Sequence, residues 1–195
     1  MLPPRSPWLA AVLGAALAFG LSATAADAAL LVGNTRGNDI RVIDEVTGRF
    51  GSTFVAADVG LDAPDDLVYG SDGNLYVSSG TTRDNSAIYR FNGLTGEFID
   101  IFAQGGGMLR PYGMAFGSDG YLYVSSFRSD EILRFDGTTG AYVDVFAAGT
   151  GTADGLNGPN DLLFGPDGAL YVTTQGSVAD PDGEIEFQFA SQVLR

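Results

Sequence analysis

A fourteen-residue phrase occurs three times in this chain, and that repetition limits the possible folds more than any other feature. Pro64 to Val77 reads P-D-D-L-V-Y-G-S-D-G-N-L-Y-V, Pro111 to Val124 reads P-Y-G-M-A-F-G-S-D-G-Y-L-Y-V, and Pro159 to Val172 reads P-N-D-L-L-F-G-P-D-G-A-L-Y-V. The copies start 47 and 48 residues apart. A fixed period of this length belongs to proteins that stack one small structural unit in tandem.

The middle copy and the residues after it divide into four strands. Tyr112 to Phe116 is the first, the turn Gly117-Ser118-Asp119-Gly120 follows, and Tyr121 to Ser125 is the second. Arg128-Ser129-Asp130 turns the chain into a third strand over Glu131 to Phe135, and Asp136 to Gly140 leads into a fourth over Ala141 to Phe146. Val, Ile, Leu, Tyr and Phe fill the strands, while Gly, Asp, Asn, Ser and Thr gather between them. A second signature, a turn ending in T-G before an aromatic residue, recurs at Asn92 to Phe98 and Asp136 to Tyr142, with a relative at Asp44 to Phe50. Each lies between two apolar runs and supplies a Gly for positive φ, which is hairpin chemistry. No segment of residues 29–195 carries a helical apolar stripe.

Four antiparallel strands in about 45 residues, repeated in tandem, describe the blade of a β-propeller. The expected fold is therefore all-β, with the first strand of each blade on the central channel. Leu75-Tyr76-Val77 and their counterparts at 122–124 and 170–172 are expected to pack between blades. Asp72, Asp119 and Asp167 are expected to set the D-G hairpins. Arg90, Arg134 and Arg195 recur in register and are expected to pair with acids of an adjacent blade. Leu30-Leu31-Val32 matches the second strand of a blade whose first strand is absent, and Gln192 to Arg195 aligns with Glu131 to Arg134, inside a third strand. About three and a half blades are thus expected, as an N-terminal part of a six- or seven-bladed ring. The last copy inserts an acidic stretch between Thr174 and Ser191, containing Asp180, Asp182 and Glu184. It fails the twelve-residue calcium-loop pattern and is expected to be a surface hairpin.

Residues 1–28 read as a secretory signal peptide. Arg5 precedes the apolar run from Leu9 to Leu21, and Ala26-Asp27-Ala28 has the small-x-small cleavage pattern. That run is shorter than the ~20 residues of a membrane-spanning helix. The expected mature chain, residues 29–195, is secreted or periplasmic, with cleavage near Ala28. Its net charge stays at −14, as for the whole chain, because the signal removes one Arg and one Asp. Such a surface repels phosphate backbones and anionic lipid, so neither nucleic acid nor membrane is an expected partner. The chain has no Cys and no His, and all ten of its basic residues are Arg. Those absences exclude, within this chain, a His-containing triad, a cysteine nucleophile, a Schiff-base lysine and a His-ligated zinc site.

The repeated P-x-D/G-L/M-x-F/Y-G-x-D-G-x-L-Y-V phrase resembles that of the NHL and SMP-30/gluconolactonase/streptogramin-lyase group of propellers, over essentially all of residues 30–195. Among the enzymes of that group, the SMP-30-like members place a divalent cation on the axis, held by Asn, Asp and Glu of the inner strands. Asn160-Asp161 ahead of Pro166-Asp167-Gly168 is similar to their N-D motif. The matching slots elsewhere are Asp65-Asp66 and Tyr112. By this resemblance Asp65, Asp66, Tyr112, Asn160 and Asp161 form a channel-mouth site, with Asp65 and Asn160 as ligands for Ca²⁺ or Mg²⁺. The group's first-blade Glu has no equivalent between Ala29 and Asp44. Three functions follow as expectations. The first is an exported module that binds a small molecule, a glycan or a protein on a propeller face. The second is a metal-dependent lactonase-like hydrolase. The third is a streptogramin-lyase-like enzyme, whose His would have to lie outside this sequence.

Overall fold

The computed structural model describes residues 29–179 and 185–195. The expected signal peptide, and Asp180, Asp182 and Glu184, lie outside the described residues. Strands β1 (Ala29–Asn34), β2 (Asp39–Asp44) and β3 (Phe50–Val55) form an antiparallel sheet. Next comes a four-stranded sheet of β4 (Leu67–Tyr69), β5 (Leu75–Ser79), β6 (Ala87–Phe91) and β7 (Phe98–Gln104). A second four-stranded sheet is built from β8 (Pro111–Phe116), β9 (Tyr121–Ser126), β10 (Glu131–Asp136) and β11 (Tyr142–Ala148). The last unit begins with β12 (Pro159–Phe164) and β13 (Leu170–Thr174), inserts the small hairpin β14 (Ser177–Ala179) and β15 (Ile185–Phe187), and ends with β16 (Gln192–Leu194) paired to β13. Among the described residues the helical segments are two short 3₁₀ turns, Ala57–Val59 and Phe127–Ser129.

Local hydrogen bonding explains the repeated phrase. In the middle copy, Asp119 Oδ1 accepts the Tyr121 N–H at 3.2 Å and Oδ2 accepts the Tyr123 hydroxyl at 2.7 Å. Asp72 with Tyr76, and Asp167 with Tyr171, repeat the hydroxyl bond at 3.0 Å each. The D-G-x-L-Y phrase is therefore a single hydrogen-bonded unit, with the Gly at positive φ (+86° at Gly120). The T-G turn works similarly. Asp136 Oδ1 accepts the N–H groups of Thr138 and Thr139 at 3.0 and 2.8 Å, and Gly140 takes φ +71°.

The core lies between sheets. Tyr76, Ile88 and Phe102 of the second sheet pack against Met114, Leu122, Leu133 and Phe135 of the third. Ile40 and Val55 of the first meet Leu75, Val77 and Phe91 of the second, and Tyr123 and Ile132 of the third meet Leu162 and Val172 of the fourth. Sheets stack face to face along the chain, and the opening strands β8 and β12 lie side by side.

The expectation for the recurring arginines is corrected. Arg134 Nε and Nη2 bond both carboxylate oxygens of Asp144 at 2.8 and 2.6 Å, Arg90 does the same to Asp100 at 3.0 and 2.5 Å, and Arg195 reaches Asp167 at 2.9 Å. All three pairs stay inside one sheet. Arg134 and Asp144 sit directly opposite across β10 and β11, so the carboxylate is already in reach without crossing to a neighbour.

Candidate site at the mouth of the inner strands

The inner strands do not start as regular ladders. β8 pairs with β9 at Pro111 and resumes at Met114, leaving Tyr112 and Gly113 in a register shift, and β12 treats Asn160 and Asp161 in the same way. Their backbone groups turn to hydroxyls of the second strand instead. Ser125 Oγ accepts the Gly113 N–H at 2.8 Å, Ser78 Oγ accepts Asp66 N–H at 2.9 Å, and Thr173 Oγ1 accepts Asp161 N–H at 3.0 Å. Two of these hydroxyls also reach forward. Ser78 donates to the Tyr112 carbonyl at 2.6 Å and Ser125 to the Asn160 carbonyl at 2.5 Å. A buried Ser in the second sheet and another in the third thus set the position of the next sheet's inner strand.

A second tie precedes each proline. Ala63, Arg110 and Gly158 all adopt positive φ, at +49°, +58° and +60°. Their N–H groups are accepted by Asn38 Oδ1, Ser86 Oγ and Asp130 Oδ1 of the preceding sheet, at 2.9, 3.0 and 2.7 Å. These three acceptors occupy matching positions just before β2, β6 and β10. The sequence reading missed them, although an acceptor side chain at that place in each copy is a visible signal once the loops are aligned.

That turn brings Arg110 into the site. Its guanidinium lies 3.1 Å from Asp65 Oδ2 and 4.9 Å from the centre of the Tyr112 ring, and the ring stacks on Phe127 at 4.6 Å. Asp65 and Tyr112, expected together from the repeat register, are joined through this arginine. Burial pushes the Asp65 carboxyl up, and Arg110 pulls it partly back. Asp66 Oδ2 accepts the Met114 N–H of the next sheet at 2.8 Å, while Oδ1 accepts Leu67 N–H at 2.8 Å. Burial, reinforced by the negative charge of Asp161, raises Asp66 to about 6 in spite of those two bonds. Asp161 is exposed and accepts the Leu162 N–H at 2.8 Å. Gly113 separates the two acids. A Cβ there would stand 2.7 Å from the Asn160 carbonyl oxygen and 3.0 Å from Asp161 Oδ1. Asn160 is half-buried, with its carbonyl held by Ser125.

The mouth therefore sets three carboxylates against one guanidinium, beside a fixed aromatic stack. Oxygen donors of this kind suit a hard cation. Yet the guanidinium already stands beside Asp65, and no group of three or more Asp or Glu side chains converges among the described residues. The side chains as placed do not fit a carboxylate cage centred on Asp65.

No family model matches the sequence, and no curated protein matches it significantly. Solved structures do. A candidate gluconolactonase is similar with a TM-score of 0.60 and 18% identity, over 86% of this chain and 60% of that one. Streptogramin B lyase gives 0.54 and 18% over 83% and 51%. Selenomethionine-substituted virginiamycin B lyase from Staphylococcus aureus gives 0.55 and 19% over 81% and 50%. This chain thus spans half to three fifths of the length of these structures. Taken with the tandem four-stranded sheets, the likeness defines the chain as a β-propeller protein. More particularly, its blades have the fold of the gluconolactonase-like and streptogramin-lyase-like propellers.

Proposed function

We propose that the chain is an exported ligand-binding propeller module, with its recognition site at the mouth of the inner strands. The observation that carries this reading is the pair of carboxylates, Asp66 and Asp161, flanking Gly113 beside the rigid Arg110–Tyr112–Phe127 stack. Excess negative charge next to a preformed aromatic wall favours a small ligand, or a protruding group of a partner, that presents an amine or several hydrogen-bond donors. The reading of residues 1–28 as a signal places that encounter outside the cytoplasm.

A second reading has its own support. A carboxylate raised to about 6, such as Asp66, has the proton affinity of a general base near neutral pH. That favours a lactonase-like hydrolase in which Asp66 takes the proton of the attacking water, and any Ca²⁺ or Mg²⁺ ion would have to be held by Asn160 without Asp65, which Arg110 already pairs. The two readings separate in one titration of the full chain with putrescine and with D-glucono-1,5-lactone, each with and without CaCl₂. Saturable putrescine binding that weakens about tenfold in Asp161→Asn, without lactone turnover, supports the module. Calcium-dependent lactone hydrolysis lost in Asn160→Ala assigns the hydrolase. If neither occurs, the mouth is not the functional site.

A further inference from the structure

The opposite end of the same inner strands carries a second cleft. β8 runs from Pro111 to Phe116, so its far end lies about 17 Å from Pro111 and about 10 Å from Gly113 at the mouth. There the turns at 70–74 and 117–120 stand on either side of a space of about 500 Å³ between the second and third sheets. This volume falls in the range of small-molecule sites.

Its walls combine aromatic faces with Asp72 and with Arg90, whose charge is already met by Asp100. Tyr69, Tyr76 and Phe116 supply the apolar part, and Ser71, Asp72 and Arg90 the polar part. The walls are held in place. Tyr76 and Phe116 pack edge to face at 5.0 Å, the Tyr76 hydroxyl donates to Asp72 Oδ2 at 3.0 Å, and Arg90 is clamped by both oxygens of Asp100. Tyr69 is 53% exposed, yet its hydroxyl donates to the Gly93 carbonyl at 3.1 Å, which fixes the ring as a platform.

Charge decides the class of ligand. An anion drawn to Arg90 is repelled by Asp72 and by the Asp100 carboxylate that already holds that guanidinium, and a cation drawn to Asp72 meets Arg90 and a carboxylate already bonded by Asn74 and Tyr76. A neutral ring avoids both penalties. Its apolar face can cover Tyr69 while its hydroxyls donate to the carboxylate and accept from the guanidinium, two bonds strengthened by charge. We infer that this cleft binds a neutral carbohydrate, at a site separate from the mouth.

The test uses the full chain, with saturation-transfer NMR and calorimetry against glucose, galactose and cellobiose, and with choline chloride and sodium sulfate as charged probes. At least one sugar is expected to bind saturably, with neither charged probe competing. Tyr69→Ala removes the platform and is expected to weaken binding about tenfold. Ser71→Trp fills the cleft from an exposed turn position that tolerates most residues, and is expected to abolish binding without lowering the melting temperature. Asp161→Asn, at the other end of the strands, should leave sugar binding unchanged while altering any binding at the mouth. The inference is overturned if no sugar binds, if Tyr69→Ala and Ser71→Trp bind as wild type does, if a charged probe displaces the sugar, or if Asp161→Asn abolishes sugar binding.

Discussion

Ser125→Ala is a one-atom change that tests how neighbouring blades are held in register. Ser125 is fully buried, accepts the Gly113 N–H and donates to the Asn160 carbonyl. Removing its hydroxyl leaves two backbone groups unpaired on different sheets. An unsatisfied buried group costs about 1–3 kcal/mol. Gly113 is buried and bears the full penalty, while half-buried Asn160 recovers part of its loss from water. The expected loss is roughly 2–4 kcal/mol. For a chain of this size that corresponds to a melting temperature lower by roughly 5–15 °C. Thermal and urea unfolding of the two proteins measure it directly, with Ser118→Ala on an exposed turn as the control. Ser125→Thr keeps the hydroxyl, as Thr173 does at the matching position, and should recover part of the loss. A Ser125→Ala change within about 0.5 kcal/mol of wild type would refute the idea that these hydroxyls set blade register.

Two further perturbations read the same region. The folded-state pKa of Asp66, about 6, lies above the ordinary aspartate value of 3.8, so the folded chain holds that proton more tightly than the unfolded chain. Stability from this group is therefore present below pH ~4 and falls as pH rises toward ~6, by on the order of 1–2 kcal/mol after allowance for partial exposure. Asp66→Asn should flatten that fall, measured as the difference in urea midpoint between pH 4.5 and pH 7; an unchanged slope would count against it. Gly113→Ala places a methyl group 2.7 Å from the Asn160 carbonyl oxygen and from the Asp161 Cα, both backbone atoms of the next sheet. It should destabilise by about 1–3 kcal/mol and disturb ligand binding at the mouth, whereas a neutral effect in a melting curve would mean that β8 and β12 can separate freely.

What could be read from the sequence follows from how far apart the interacting groups lie along the chain. The D-G and T-G turns close within a few residues, as from Asp119 to Tyr123 and from Asp136 to Thr139, so their pattern alone marks strand ends and, through the period, the tandem sheets. The same period places Asp65, Tyr112 and Asn160 at equivalent starts of inner strands. The partners of those residues were not legible. Arg110 reaches Asp65 because it takes φ +58°, a conformation unusual for a side chain of its size. That conformation is held by a hydroxyl 24 residues earlier, on the preceding sheet. The intrasheet pairing of Arg134 was also hidden, since β10 and β11 shift register next to it. These cases share a physical cause. The groups that order the mouth, Ser78, Ser86 and Ser125, are small and common, and they act between sheets rather than along a strand. They also join blade stability to site geometry. A variant that loosens a tie should lower both the melting temperature and the affinity at the mouth, whereas Asp161→Asn, whose carboxylate accepts the Leu162 N–H of its own strand and repels Asp66, should weaken affinity without lowering the melting temperature. That difference separates recognition at the mouth from its support.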